Sequence, residues 1–252
     1  LKHHHHDAAI AQLDLTQLAK PVRPSVDIPL EIEAKFLVPA GVARELAKNK
    51  ESVQITTHYF SSDSIPWLIK RHRIRDTEND HHLLTTARLR MIKGDEVVYH
   101  LDFKGRKLNL GQGVVGRPEL PPITLTRKEY REYRDRDTIG ATVKQRYVIP
   151  GSVRLNSGVR HCFDANLDHY LYAGRELEKL PVDLYTIEFE STHAALVALK
   201  RGRHSFTFLE SCLELNDENG ELAGLLTNKR LAKKGYDKEL RRCLGKRGED
   251  CP

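Results

Sequence analysis

Six short segments of this chain place charged residues on every second position. "EIEAKF" carries Glu31, Glu33 and Lys35; "ARLRM" carries Arg88 and Arg90; "LDFKGR" carries Asp102, Lys104 and then Arg106. "RKEYR" offers Arg127, Glu129 and Arg131, "VKQRYVI" offers Lys144 and Arg146, and "TIEFES" offers Glu188 and Glu190. Residues i and i+2 of a strand project from one face, with the intervening residues on the other. Each segment therefore reads as a strand with charge on one side and apolar groups on the other. Any one pair fits a solvated sheet face. The set does not: two pairs are purely acidic and two purely basic, and like charges left uncompensated repel one another. A curled or closed sheet gathers these faces around a lumen. Its outer face then carries Ile32, Phe36, Leu89, Phe103, Val143, Tyr147, Ile187 and Phe189 beneath helices.

Between these segments the punctuation is that of an antiparallel sheet with peripheral helices. Residues 8–20 read as a helix capped by Asp7 and ended by Pro21, and a proline-rich linker leads to the main body near Leu30. Helices are expected over 41–50, over 194–201 behind a Ser191 cap, and as one piece over 221–234, ended by Gly235. Strands are expected over 54–61, 87–92, 96–104, 124–133, 141–149 (stopped by Pro150-Gly151), 159–172 and 184–190. The Gly- and Pro-rich stretch 105–122, with "GQGVVG", reads as a long flexible connection, and the last dozen residues as a frayed polar end. This divides the chain into a tag-like and linker segment 1–29, a body 30–236 and a tail 237–252.

The chain has 252 residues, 39% hydrophobic and 30% charged, a folded composition rather than a disordered one. A net charge of +6 favours anionic partners without separating nucleic acid from small phosphates. No apolar run approaches the roughly 20 residues of a membrane span, and no secretory segment opens the chain, so a cytoplasmic protein is expected. The four cysteines form no C-x-x-C pair and read as reduced thiols, with no zinc site expected. His3–His6 look like a purification tag. His58, His100, His161 and His169 read as structural, Tyr59 as wall packing, Trp67 as a loop anchor, and Cys162 as inert.

The chemistry of such a lumen is that of phosphoryl transfer. Two to four carboxylates supply hard oxygen ligands for Mg²⁺ or Mn²⁺, and neighbouring Lys and Arg neutralise a polyphosphate. The ordered series "EIEAKFLVP", "THYFS", "ARLRM", "HLDFKGR", "RKEYREY", "VKQRYVIPG", "TIEFES" and "TNKRLAKKG" resembles the CYTH superfamily, the triphosphate tunnel metalloenzymes. It is most similar to the short bacterial inorganic triphosphatases, and the resemblance runs from about Leu30 to Gly235. What it implies is an α+β fold: an eight-stranded antiparallel β-barrel tunnel with peripheral helices, a divalent metal, and a triphosphate-bearing substrate. It casts Glu31 and Glu33 as metal and water-orienting carboxylates. Lys35, Arg88, Arg90, Lys104, Lys144 and Arg146 become phosphate binders, Lys35 also serving catalysis. At least one of Glu188 and Glu190 becomes a metal ligand, and Glu129 a tunnel carboxylate. Asp164, ahead of the alternative Asp168, is the acid of the preceding strand. Arg131 stands where many members carry an acid, which bears on a second metal position.

The activity so implied is metal-dependent hydrolysis of a terminal phosphoryl group, inorganic triphosphate first. Thiamine or nucleoside triphosphates, RNA 5′ ends and adenylate cyclisation are alternatives within the same resemblance. A non-catalytic polyphosphate binder and a basic RNA-binding protein are alternatives outside it, the latter lacking an evident base-stacking surface. No membrane and no long nucleic acid is expected as a partner, and a homodimer stays open.

Overall fold

The computed structural model describes residues 29–74, 84–111, 114–136, 138–215 and 220–248. The helix expected over 8–20 lies outside them. Among the described residues, eleven antiparallel strands form one sheet: β1 Leu30–Val38, β2 Ser52–Phe60, β3 Leu84–Lys93, β4 Val97–Gly105, β5 Leu108–Asn109, β6 Val115–Pro118, β7 Ile123–Thr124, β8 Thr138–Arg154, β9 Arg160–Gly174, β10 Glu178–Glu190 and β11 Leu213–Glu214. Their order is β5-β6-β1-β10-β9-β8-β2-β3-β4-β7, with β11 added on β1. Seven α-helices lie around the sheet among the described residues: α1 Ala40–Ala47, α2 Ile65–Arg71, α3 Arg127–Arg134, α4 His193–Lys200, α5 Gly220–Leu225, α6 Asn228–Lys234 and α7 Lys238–Gly248.

The expected eight-stranded closed barrel is not what forms. The sheet has eleven strands and is not closed into a barrel. Its edges curl toward each other, but β4 and β6 share no ladder: just beyond β6 the backbone makes a single bridge, Lys104 with Glu119, and a bond from Leu120 N to Phe103 O at 3.1 Å, before β7 pairs with β4 over two residues. Pro118, Pro121 and Pro122 flank that contact and have no N–H to donate, so a ladder cannot propagate there.

Alternation builds the wall as the sequence reading expects. Along β1, Ala34, Phe36 and Val38 are buried in an outer core while Glu31, Glu33 and Lys35 face the other way. Phe36 packs edge-on against Phe189 of β10 at 5.7 Å, over α1 and α4, together with Ile187, Leu167, Leu196 and Leu199. Leu89, Leu101, Phe103 and Ala87 of β3 and β4 form a second core with Leu68 of α2 and with Tyr130 and Tyr133 of α3. Tyr170 and Leu184 join α5–α7 through Leu226, Leu231 and Leu240 in a third. Each fully buried side chain of this size stabilises the fold by about 1.5–3 kcal/mol.

Several local expectations are corrected. The 124–133 segment is not a strand through Tyr133: after the short β7 it becomes α3. A capping box decides it, with Thr126 Oγ1 accepting from Glu129 N at 3.2 Å while the Glu129 carboxylate accepts from Thr126 N at 2.8 Å. Strand β8 runs through Pro150 because β2 ends opposite Tyr147, so the edge that Pro150 leaves without a donor has no partner strand. Gly151 is required there, since a Cβ would lie 2.1 Å from the Phe206 ring. The 105–122 stretch contains β5 and β6. Residues 221–234 make two helices, because Thr227 starts a new one by accepting from Arg230 N. Thr192, not Ser191, caps α4. Of the end expected to fray, the described residues 241–248 belong to α7, which is anchored by buried Leu240.

One close approach is testable. Gly140 opens β8 at φ +144°, and a Cβ there would sit 1.8 Å from the Ala232 carbonyl oxygen of α6. Gly140→Ala is expected to cost about 1–3 kcal/mol, a fall in Tm of about 2–12 °C for a chain of this size. Gly41→Ala, in the first turn of α1 where a Cβ meets nothing within 4 Å, is expected to hold or raise Tm. Equal losses in the two variants, read by thermal denaturation, would show that the α6–β8 contact is not tight.

Candidate functional site

The charged faces of β1, β3, β4, β6, β8 and β10 enclose one cavity of about 610 Å³, closed on one side by Ala223–Lys229 of the α5–α6 junction. Among the described residues, nine basic and five acidic side chains line it, and the one aromatic ring is that of Tyr59. Glu31, Glu33, Lys35, Arg88, Arg90, Lys104, Lys144, Arg146, Glu188 and Glu190 all line this space. The regular register of the ladders brings residues far apart in sequence to one surface.

Two aspartates lie behind the basic side chains and hold them. Asp168 of β9 is 0% exposed and sits opposite Arg146 in the β8–β9 ladder. It accepts from Arg146 Nε at 2.7 Å, from Arg146 Nη2 at 2.8 Å, and from Lys144 Nζ. Asp102 of β4, 1% exposed, faces Arg88 across the β3–β4 ladder. It accepts from Arg88 Nε at 3.1 Å, from Arg90 Nη2 at 2.7 Å, and from Arg90 Nε. A fork gripped this way uses two of five guanidinium N–H donors and turns the remainder toward the cavity.

The glutamates fall into distinct settings. Glu188 faces Lys35 in register and binds its Nζ at 3.0 Å, with Arg146 Nη2 at 3.3 Å. Burial alone would raise Glu188, but Lys35, Lys144 and Arg146 hold it well below the usual carboxylate range. Glu31 shares Lys104 with Glu119, whose carboxylate lies 2.9 Å from Lys104 Nζ and 2.9 Å from Arg88 Nη2. Burial lifts the Glu31 carboxyl above its ordinary value against the pull of Lys104, and Glu119 adds to the rise. Burial and Arg146 together push Lys144 down to about 8, against the pull of Asp168 and Glu188.

Glu33 and Glu190 are different. They stand directly opposite each other in the β1–β10 ladder, two acids at one paired position. Like charges so placed destabilise a ladder unless a cation intervenes. Lys107 reaches Glu33 only at 3.9 Å. Glu190, open to solvent at the rim, is raised first by desolvation on its cavity side and then by Glu31 and Glu188. These hard oxygens suit a divalent cation such as Mg²⁺ or Mn²⁺. Among the described residues, no three His, Cys, Asp or Glu side chains converge into a cage that would hold a metal alone. Water or ligand oxygens would have to complete its shell.

Two expected site residues stand elsewhere. Glu129 is spent on the cap of α3, outside the cavity, and Asp164 is exposed on β9 opposite Pro150. The strand period explains Asp164: Asp168, four residues on, shares its face but lies deep enough to meet Lys144 and Arg146. Arg117, Glu119 and Lys107 also line the cavity, from the stretch read as a loop. Arg117 and Glu119 follow the same i, i+2 rule, hidden by Gly116 and Pro118. Arg117 faces Glu31 across the β1–β6 ladder, and its buried Nε has no hydrogen-bond partner. Thr57, Asn228 and Lys229 also line it. His169 stacks on Tyr185 at 4.2 Å and His161 bonds Ser191 at 2.9 Å, both structural contacts. Trp67 packs edge-on against Tyr133 at 5.9 Å, away from the cavity.

No family model matches the chain, and no curated protein matches it. Among solved structures, the crystal structure of the inorganic triphosphatase NE1496 is similar at 16% identity over 81% of this chain and 94% of that one, with a TM-score of 0.39. The PH1819 protein from Pyrococcus horikoshii OT3 is similar at 14% identity over 64% and 77%, with a TM-score of 0.37. The Schizosaccharomyces pombe Mediator head module is similar at 10% identity over 69% and 90%, with a TM-score of 0.39. Similarity at this level establishes neither family nor activity.

Proposed function

We propose that the chain is a divalent-metal-dependent hydrolase that removes the terminal phosphoryl group of a triphosphate, inorganic triphosphate being the first substrate to test. One observation supports this above all: a single cavity joins nine basic side chains to five glutamates. A polyanion needs the bases. Simple anion binding does not need the acids, which repel it. Arg88, Arg90, Lys144 and Arg146 grip non-bridging oxygens, Lys35 and Lys104 neutralise the chain, and Asp102 and Asp168 keep the guanidiniums aimed. Mg²⁺ or Mn²⁺ on Glu33 and Glu190, with Glu188 beside them, would draw charge from the phosphoryl oxygens. Glu31, made more basic by burial, orients the attacking water and takes its proton as the new P–O bond forms and the bridging P–O bond breaks. With Tyr59 the one aromatic ring in the lining, a nucleobase finds little to stack on, which favours inorganic triphosphate over thiamine or nucleoside triphosphates and over cyclisation.

A second reading, a non-catalytic polyphosphate binder, is favoured by the lack of a three-residue metal cage among the described residues. Phosphate release from triphosphate, thiamine triphosphate, ATP and 5′-triphosphate RNA, with Mg²⁺ and Mn²⁺ compared, separates the two. Release from inorganic triphosphate is expected to fall at least about 100-fold in Glu33→Gln and in Glu190→Gln, with triphosphate still bound. Glu129→Ala, which removes the reciprocal half of a capping box at a cost of about 1 kcal/mol or less, is expected to turn over normally. Tight binding without release in either metal establishes the binder instead.

The charge state of Lys144 gives an independent check. Its ammonium is present below about 8 and lost above it, so a bound polyanion must restore the proton at higher pH. Without divalent cation, the Kd for triphosphate is expected to rise up to about tenfold per pH unit above that point. Lys144→Arg, which stays charged, is expected to flatten the profile. A slope identical in wild type and variant removes Lys144 from the binding surface.

A further inference from the structure

A second basic surface lies at the far end of β8. A groove of about 620 Å³ is lined by Ser152–Asn156, Gly158 and Arg160 of the β8–β9 hairpin, and by Gly202–Ser205 after α4. Among the described residues it contains Arg154, Arg160, Arg203 and His204 and no acidic residue. The backbone puts the three arginines at neighbouring positions: Arg154 is directly opposite Arg160 in the ladder, and Arg154 N donates to the Arg203 carbonyl at 2.8 Å. Like charges at a paired position destabilise a hairpin unless something anionic offsets them.

In the cavity Arg88 and Arg90 are answered by Asp102, and Arg146 by Asp168. Here the partners are neutral. Arg160 Nε donates to Ser152 Oγ at 2.9 Å, and Arg203 Nη1 donates to Asn156 Oδ1 at 2.5 Å. These bonds orient the forks without neutralising them. His204 brings a buried Nδ1 that has no hydrogen-bond partner. Ser205 is tied down through its hydroxyl, which accepts from Ser152 N at 3.0 Å.

From this convergence we infer a second anion site that takes a phosphate-class ligand, a phosphomonoester or a short inorganic phosphate chain, through Arg154, Arg160 and Arg203. Planar forks that grip oxygens in pairs match phosphate geometry. The lining has no aromatic ring beyond the His204 imidazole, so no base-stacking platform accompanies it. Eight residues of β8 separate Arg146 from Arg154, about 26 Å at strand rise. A single triphosphate therefore cannot occupy both places, and the groove stands whether or not the cavity is catalytic.

The test is an NMR titration of the full chain, in chelator, with inorganic pyrophosphate and with phosphoserine as separate probes. Saturable shifts are expected at the Gly158, Gly202 and Ser205 amides with at least one probe, and which probe binds more tightly identifies the source of the phosphate. Arg154→Gln with Arg203→Gln is expected to weaken that binding at least about tenfold while Tm holds, since both side chains are exposed. Lys107→Gln with Lys229→Gln, in the cavity lining, is expected to leave the groove shifts in place, so the two sites are judged separately. No saturable shift at these amides, shifts unaltered by the groove variant, or tighter binding of a hexaglutamate peptide than of either phosphate probe would overturn the proposal.

Discussion

Opposite charges placed face to face by antiparallel register are the interaction on which this structure depends. Arg146 faces Asp168, Arg88 faces Asp102 and Lys35 faces Glu188, each across a ladder. Asp102 and Asp168 have almost no solvent contact, so each is tolerable only because cations surround it. The dependence is mutual: a neighbouring arginine or lysine relieved of its aspartate would be a buried cation without a partner. Ion pairs of this kind contribute less to net stability than to geometry. They fix where the guanidiniums point before any ligand arrives.

That geometry rests on strands rather than loops. The same strands bury Phe36, Leu89, Phe103, Ile187 and Phe189 on their outer side, under helices. A one-residue slip in register would turn these side chains into the cavity and expose the charges. Hydrophobic packing outside and ion pairing inside therefore enforce the same register. A site held on paired strands at both levels is pre-organised, which lowers the cost of gripping a polyanion.

Two paired positions break the rule of opposite charges, and both bear on ligands. Glu33 opposes Glu190 in the cavity, and Arg154 opposes Arg160 at the hairpin. The first asks for a cation and the second for an anion. Neither conflict is removed by neighbours: Lys107 stays 3.9 Å from Glu33, and Arg160 and Arg203 bond only neutral oxygens.

The alternation of charge and apolar residues in "EIEAKF", "ARLRM", "VKQRYVI" and "TIEFES" is local, and it was enough to predict strands, their inner face and most of the cavity residues. Period-two geometry needs no partner to be read. Where a local signal competed, the reading failed: Arg127, Glu129 and Arg131 alternate, yet the Thr126–Glu129 cap makes a helix. What only tertiary structure decided is pairing and depth. It chose Asp168 over Asp164, drew Arg117 and Glu119 out of a Gly- and Pro-rich stretch onto the wall, and left the curled sheet without the closing ladder of a barrel. Those outcomes depend on which strands lie opposite, on how far the prolines let hydrogen bonds propagate, and on what packs above each residue, none of which is carried by the spacing of residues along one strand.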